Sequence, residues 1–217
     1  MSAAEARAAL DAAGSLPDPE LDLVTVALQF ARIDAPEADW QAAQQLLSAL
    51  AREVVQAAMA DPEADGGDPE ARRALLVRVI HGAGGYGGDT ESYDDLSNAN
   101  LIRVTERRRG LPVALGILWL HAAEAAGWGA HGIDFPGHFL LGIEGGRGQV
   151  VTDPFSGGQS LGPRELRNLL KAVEGERAEL RPGLLAPMGK RAVLLRLQNN
   201  IKPVSYTHLT LPTIRLV

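Results

Sequence analysis

The sequence contains no cysteine among its 217 residues. This absence excludes disulfide bonds, thiolate metal sites and a cysteine nucleophile. No apolar run reaches the roughly 18 residues that a membrane-spanning helix needs, so we expect no membrane partner. The first residues also lack the basic and then apolar plan of a signal peptide, which favours a cytoplasmic protein.

Basic residues are fewer than acidic ones. The chain has 21 Lys and Arg against 27 Asp and Glu, which gives a net charge of −6. Binding to a phosphate backbone needs a basic surface, so we expect no nucleic-acid partner. The one dense basic run, Arg107 to Arg109, is typical of a solvated helix end, where cations meet the negative end of the helix dipole.

The first third of the sequence shows strong helical periodicity. Leu21, Val24 and Leu28 recur at helical spacing, and a second helix is predicted from about Pro36. Residues 61–68 have the composition of a loop, and a third helix follows them. Residues 82–88 hold five glycines but lack the Lys-Ser/Thr ending of a phosphate-binding loop, so we predict a flexible connector there.

The second half combines one apolar helix with short strands. Pro112 begins a helix that is apolar nearly all round and ends at Gly127, which is typical of a buried central helix. Strands are predicted at 131–135, 137–144 and 149–153, with glycines marking the hairpin between the last two. Further helices are predicted from Pro163 and from Met188 to about Lys202. The pattern predicts an α+β fold with a small antiparallel sheet.

His138 and Asp153 are the candidate chemical pair. A two-residue turn at Gly145–Gly146 would make them cross-strand neighbours on one face of the sheet. A carboxylate beside an imidazole fixes its tautomer and raises its basicity. Such a pair is also common as a purely structural one, and the spacing alone favours that interpretation. His131 and Asp134 lie nearby as additional ligands, but the spacing does not favour a metal site.

Four segments resemble, in the family's order, the motifs of SirB-type transglutaminase-like proteins. They are residues 19–32, 98–115, 135–140 and 152–158. The resemblance covers roughly residues 19 to 202 and implies a papain-like Cys-His-Asp architecture. In that architecture the cysteine begins a buried helix, where the dipole favours thiolate, and the histidine and aspartate lie on adjacent strands.

The resemblance assigns roles to residues of this chain. His138 and Asp153 match the last two catalytic positions, and Pro112 falls at the position of the cysteine. A cleft around this retained dyad implies the following binding residues: Pro112, Phe135, Gly137 and Phe155. No metal or cofactor is implied. A proline has no nucleophilic side chain, so the resemblance supports the fold more strongly than the activity.

The leading hypothesis is a transglutaminase-like protein without its nucleophile that binds a peptide or a protein. One alternative is a hydrolase or acyl transferase that uses His138 and Asp153 with a hydroxyl or water nucleophile. Another is a regulatory scaffold that acts through further C-terminal helical repeats.

The expected organisation has four parts. Residues 1–82 form a helical N-terminal region, residues 83–175 the transglutaminase-like core, and residues 176–202 the start of a helical extension that is cut short. Residues 204–213 resemble the translation of a sequencing adapter, so we predict that residues 203–217 are not native to the protein.

Overall fold

Helices and a small sheet alternate along the chain. The computed structural model describes residues 3–146 and 148–201. The helices, in chain order, are α1 (Ala3–Gly14), α2 (Leu23–Asp34), α3 (Trp40–Met59), α4 (Pro62–Asp65), α5 (Pro69–Leu76), α6 (Leu101–Arg107), α7 (Pro112–Ala125), α8 (Pro163–Glu174) and α9 (Lys190–Ile201). Two short 3-10 helices, Asp18–Glu20 and Leu96–Asn98, and a π-helical segment, Val77–Ala83, complete the helical elements of the described residues.

The strands form two sheets. In chain order they are β1 (Gly87–Gly88), β2 (Arg109–Gly110), β3 (Ala130–Phe135), β4 (His138–Gly145), β5 (Gly148–Asp153), β6 (Gln159–Ser160) and β7 (Pro187–Met188). The larger sheet is antiparallel throughout, in the order β6-β5-β4-β3-β7. β1 and β2 form a separate parallel pair. The predicted α+β class with a small antiparallel sheet is therefore confirmed.

Polar side chains fix where several helices begin. The Asp22 carboxylate accepts the Thr25 backbone N–H at 3.0 Å, and Asp39 does the same for Ala42 at 3.0 Å. Asn100 accepts from the backbone of Ile102 and of Arg103 at the start of α6. These oxygens satisfy N–H groups that have no partner inside the first helical turn.

The apolar helix α7 lies against one face of the larger sheet. Phe139, Leu141 and Ile143 of β4 point toward α7 and belong to the main apolar cluster. Gly116 permits the close approach, because a Cβ atom there would overlap the Phe139 ring. Any larger residue at this position would push the helix away from the sheet.

The opposite face of the same sheet has its own smaller core. It consists of apolar strand residues covered by two leucines of α8: Ile133, Phe135, Leu140, Val151, Leu166 and Leu170. β4 is consequently buried on both faces, since its even-numbered and odd-numbered side chains enter different clusters. Every position of β4 can thus be assigned to the α7 side or to the α8 side.

The main apolar cluster extends well beyond α7 and the sheet. It includes Leu10 of α1, Leu28 of α2, Leu47 of α3 and Leu197 of α9. This cluster crosses the boundary that we expected after residue 82. Among the described helices, none combines the length and apolar character required to span a membrane.

Some local structure differs from the sequence-based expectations. Residues 61–68, expected to be a loop, include the single turn α4, which Asp61 caps through the Ala64 backbone N–H. The predicted glycine-rich connector contains the end of the π-helical segment and the strand β1. The proposed adapter-derived segment, residues 203–217, lies outside the described residues, so its foreign origin stays a prediction.

Candidate functional site

The start of α7 is the position at which the resemblance places a nucleophile. Pro112 is the first helical residue, and Leu111 before it is extended and provides no side-chain cap. Proline suits this position because its fixed φ is compatible with a helix and its missing N–H is not needed there. It brings neither a nucleophilic atom nor a backbone donor to the helix start.

The β4–β5 hairpin has a different register from the one predicted. Gly145 pairs with Gly148 and Glu144 with Gln149, whereas a turn at Gly145–Gly146 would pair Glu144 with residue 147. The predicted turn at Gly145–Gly146 is therefore wrong. Because glycines stand at 145, 146 and 148, local turn chemistry permits several registers. A tertiary contact accompanies the observed one, since the Gly146 N–H donates to the Gly67 carbonyl at 2.9 Å.

This register changes how His138 and Asp153 are related. The β4–β5 pairing ends at Leu141 and Thr152, and continuing its register sets Asp153 opposite Leu140. A shift of two residues preserves the face of every side chain. His138 and Asp153 are then diagonal rather than direct neighbours, and no hydrogen bond joins them in the described part of the chain.

His138 itself lies on the α8 side of the sheet. Its cross-strand partner is Phe135, and their rings are 6.5 Å apart between centroids. The next residue, Phe139, occupies the α7 side. The His138 side chain has no hydrogen-bond partner among the described residues, while its carbonyl accepts from Arg196 Nη2 at 3.0 Å. The structure therefore does not bring the imidazole to the α7 face.

Asp153 organises the turn that follows β5. One carboxylate oxygen accepts the Phe155 backbone N–H at 2.8 Å, and the other accepts the Ser156 hydroxyl at 2.7 Å. The residue is 8% exposed, and these bonds compensate for hydration that its carboxylate loses on burial. Both oxygens are thus engaged in shaping the loop that ends at Gly158.

The Asp153 carboxylate interacts electrostatically with a different histidine, His81. His81 Nδ1 lies 2.7 Å from the Tyr86 carbonyl, and Trp119 Nε1 donates to His81 Nε2 at 3.3 Å. One bond requires a protonated Nδ1 and the other an unprotonated Nε2, so the ring is neutral. Burial lowers the pKa of His81, and the nearby Asp153 carboxylate offsets part of that effect.

In the sequence, His81 lies in a helical run and cannot be distinguished from an ordinary helix residue. The π-helical winding of residues 77–83 is not visible in a periodicity of 3.6, although the following run of glycines marks the place where the helix changes. Such wide turns are frequent at functional sites. Here the bonds to Tyr86 and Trp119 already occupy both ring nitrogens.

The expected binding residues occupy different environments. Phe135 is 1% exposed and belongs to the α8-side cluster, whereas Gly137 is exposed in the β3–β4 turn with a φ of 71°. Phe155 is half-buried and packs over Gly88, where a Cβ atom would have no room. Its ring meets that of Tyr93 edge-on at 5.7 Å. Sequence reasoning did not identify Tyr93.

Tyr93 and Phe155 together form what we call the aromatic ledge. Tyr93 is 50% exposed. Gly88, on which Phe155 rests, pairs with Gly110, two residues before α7 begins. The ledge is therefore near the start of α7, where the resemblance places a reactive group.

The additional metal ligands considered from the sequence have other partners. His131 Nδ1 lies 3.0 Å from a carboxylate oxygen of Glu144, and Asp134 forms an ion pair with Arg196. Across residues 3–146 and 148–201 there is no group of three or more histidine and acidic side chains arranged to hold a metal ion.

Comparison with known proteins agrees with this architecture. The family described as the transglutaminase-like superfamily matches residues 41–199. A UPF0162 protein of Xylella fastidiosa is 31% identical over 193 residues, covering 88% of this chain and 67% of the relative. One of Vibrio cholerae is 30% identical over 177 residues, covering 81% and 63% respectively. No solved structure matches the chain. The chain belongs to the transglutaminase-like superfamily.

Proposed function

We propose that this protein is a non-catalytic, SirB-type transglutaminase-like domain that binds a peptide or protein segment. The observation that carries the proposal is Pro112 at the first position of α7, in a chain that has no cysteine. Acyl transfer by this architecture needs a nucleophile there, within reach of a base.

The remaining polar groups also favour a non-catalytic role. His138 lies on the α8 side of the sheet, and α7 lies on the other side. Asp153 uses both carboxylate oxygens within its own loop. A triad requires the base to touch the nucleophile and the acid to touch the base. Pro112 has no nucleophilic atom for a base to touch, and no hydrogen bond joins His138 to Asp153 among the described residues.

Binding is supported by the aromatic ledge. Tyr93 exposes half of its surface beside the start of α7, and the Phe155 ring packs edge-on against it. Aromatic side chains that combine a large apolar surface with a polar tip are frequent anchors in protein interfaces. An extended peptide that crosses the start of α7 would bury the Tyr93 ring.

Selection from a random peptide library displayed on phage tests this proposal. We expect purified protein to select peptides with a shared consensus, and Tyr93→Ala to reduce their affinity at least about tenfold, as loss of an interface anchor does. Met59→Ala is the matched control, because Met59 is an 82% exposed apolar residue on α3. Peptides that bind the Tyr93→Ala variant equally well would contradict the proposal.

An ester hydrolysis assay separates binding from the enzymatic alternative. We expect no burst of acylated protein with activated esters, and no difference between the wild type and His138→Ala. Robust hydrolysis that disappears in His138→Ala would replace the binding proposal with a hydrolase that uses a hydroxyl or water nucleophile.

A further inference from the structure

A second concave site lies far along α7 from Pro112, beside the C-terminal end of that helix. The cavity has a volume of about 200 Å³ between α7, β3 and the start of α9. Its walls are mostly apolar and include Leu120, Trp128, Met188 and Val193. The lining also contains two charged residues, Glu124 from α7 and Lys190 from α9, and the imidazole of His131 from β3, whose Nε2 is buried without a hydrogen-bond partner among the described residues.

The charged residues form an ion pair at the rim. Lys190 Nζ lies 2.7 Å from a Glu124 carboxylate oxygen, and both side chains keep some exposure to solvent. An exposed pair of this kind contributes little to stability, so a ligand can replace it at small cost. The rim therefore offers one group for a cation and one for an anion.

The dipole of α7 favours a ligand ammonium group as the replacement partner of Glu124. α7 has no basic residue in its last turn, and Glu124 adds negative charge to the negative end of the helix. α9 does not compete for the anion, because the Asp18 carboxylate already accepts the backbone N–H groups of Lys190 and Arg191. Lys190 Nζ is thus the anion-binding group at this rim.

We propose that this cavity binds a small zwitterion with an aliphatic body, of the class of free aliphatic amino acids. The ligand ammonium pairs with Glu124, its carboxylate pairs with Lys190, and its side chain enters the apolar cavity. Burial of that side chain is the main favourable contribution, while the two rim charges set the orientation. This site is separate from the aromatic ledge.

Calorimetric titration of the purified full chain with L-leucine tests the proposal. A ligand of this size in such a site should bind with a Kd on the order of 10 µM to 1 mM. We expect 4-methylpentanoate, which lacks the ammonium, and 3-methylbutylamine, which lacks the carboxylate, to bind at least about tenfold more weakly. Lys190→Met and Glu124→Gln should each weaken leucine binding by a similar factor.

A cavity-filling variant distinguishes this site from any other. Ala130 lines the cavity from β3, so Ala130→Leu should abolish leucine binding while the thermal unfolding midpoint confirms that the protein is folded. Ala172→Leu, at an exposed position of α8, is the matched control and should bind as the wild type does. Absence of leucine binding to the wild type at millimolar concentration would overturn the proposal. Equal binding of leucine and 4-methylpentanoate, or unchanged binding in Ala130→Leu, would do the same.

Discussion

Pro112 places a rigid ring at the start of α7. It has neither a backbone N–H donor nor a reactive side chain. A cysteine at the same position would have its thiolate favoured by the helix dipole. The residue is half-buried, so reagents can approach it. Reactivity toward small electrophiles is therefore separable here from catalysis, because catalysis also needs a base on the α7 side.

We predict that Pro112→Cys gains a thiol that iodoacetamide alkylates but gains no hydrolysis that depends on His138. A general base contributes roughly 10²–10⁴-fold to a rate. The measurement compares ester hydrolysis by Pro112→Cys with that of the double variant Pro112→Cys/His138→Ala, and we expect the two rates to be equal. A large excess in the single variant would mean that His138 reaches the α7 face.

At the scale of elements, periodicity carried most of the information. The spacing of apolar residues predicted the helices around Leu28, Leu47 and Leu166, and the change to short apolar runs predicted β3, β4 and β5. The helix α1 was not predicted, nor were the four two-residue strands. Elements of two residues carry no period, since long-range pairing alone creates them.

The hairpin register was the consequential error for the candidate site. Three glycines within four residues leave the local turn chemistry undecided, and the observed turn coincides with the bond from Gly146 to Gly67. The partner, Gly67, is distant in sequence, so nothing local could have revealed it. The same limitation hid the proximity of His81 and Asp153.

Engineered disulfides test the observed register directly, because the protein has no other thiol. Glu144 and Gln149 are cross-strand partners, so the variant Glu144→Cys/Gln149→Cys should oxidise readily. The closed loop is short, which limits the stabilisation to about 2 kcal/mol. Urea unfolding with and without reductant measures the difference.

The control for this prediction is Glu144→Cys/Arg147→Cys. These two positions would be cross-strand partners if the turn were at Gly145–Gly146. We expect it to oxidise more slowly and to gain less stability. If this control formed its disulfide more readily than the Gln149 variant, the hairpin would have the register that the sequence suggested.

At the scale of the whole molecule, acid should destabilise the fold in two stages. Burial lowers the pKa values of His81 and His121 below the ordinary 6.5. Hydrogen bonds from Ser92, foremost from its backbone N–H, lower the pKa of Asp89 to about 2 from an ordinary 3.8. For each group the unfolded chain binds a proton at a higher pH than the folded protein does.

Stability contributed by these groups is therefore complete above their unfolded pKa values and is lost as the pH falls. We predict a first loss of unfolding free energy as the pH falls below 6.5, and a second as it falls from about 3.8 through about 2. Urea unfolding at a series of pH values measures both stages.

The variants His81→Gln and His121→Gln assign the first stage. Each removes one titrating ring, so each should reduce the loss between neutral pH and pH 5 even if the variant is less stable overall. An unchanged slope in both variants would show that other groups cause the first stage.

The apolar cluster that joins α1, α2 and α3 to α7 and α9 has a consequence for how the gene product can be divided. A fragment that begins after residue 82 would expose apolar surface of α7 to water, because α2, α3 and α5 pack against that helix. We therefore expect the described chain to unfold as one cooperative unit rather than in separate modules. Recombination within this lineage is expected to exchange the unit intact, with insertions tolerated in surface loops and junctions excluded from its interior.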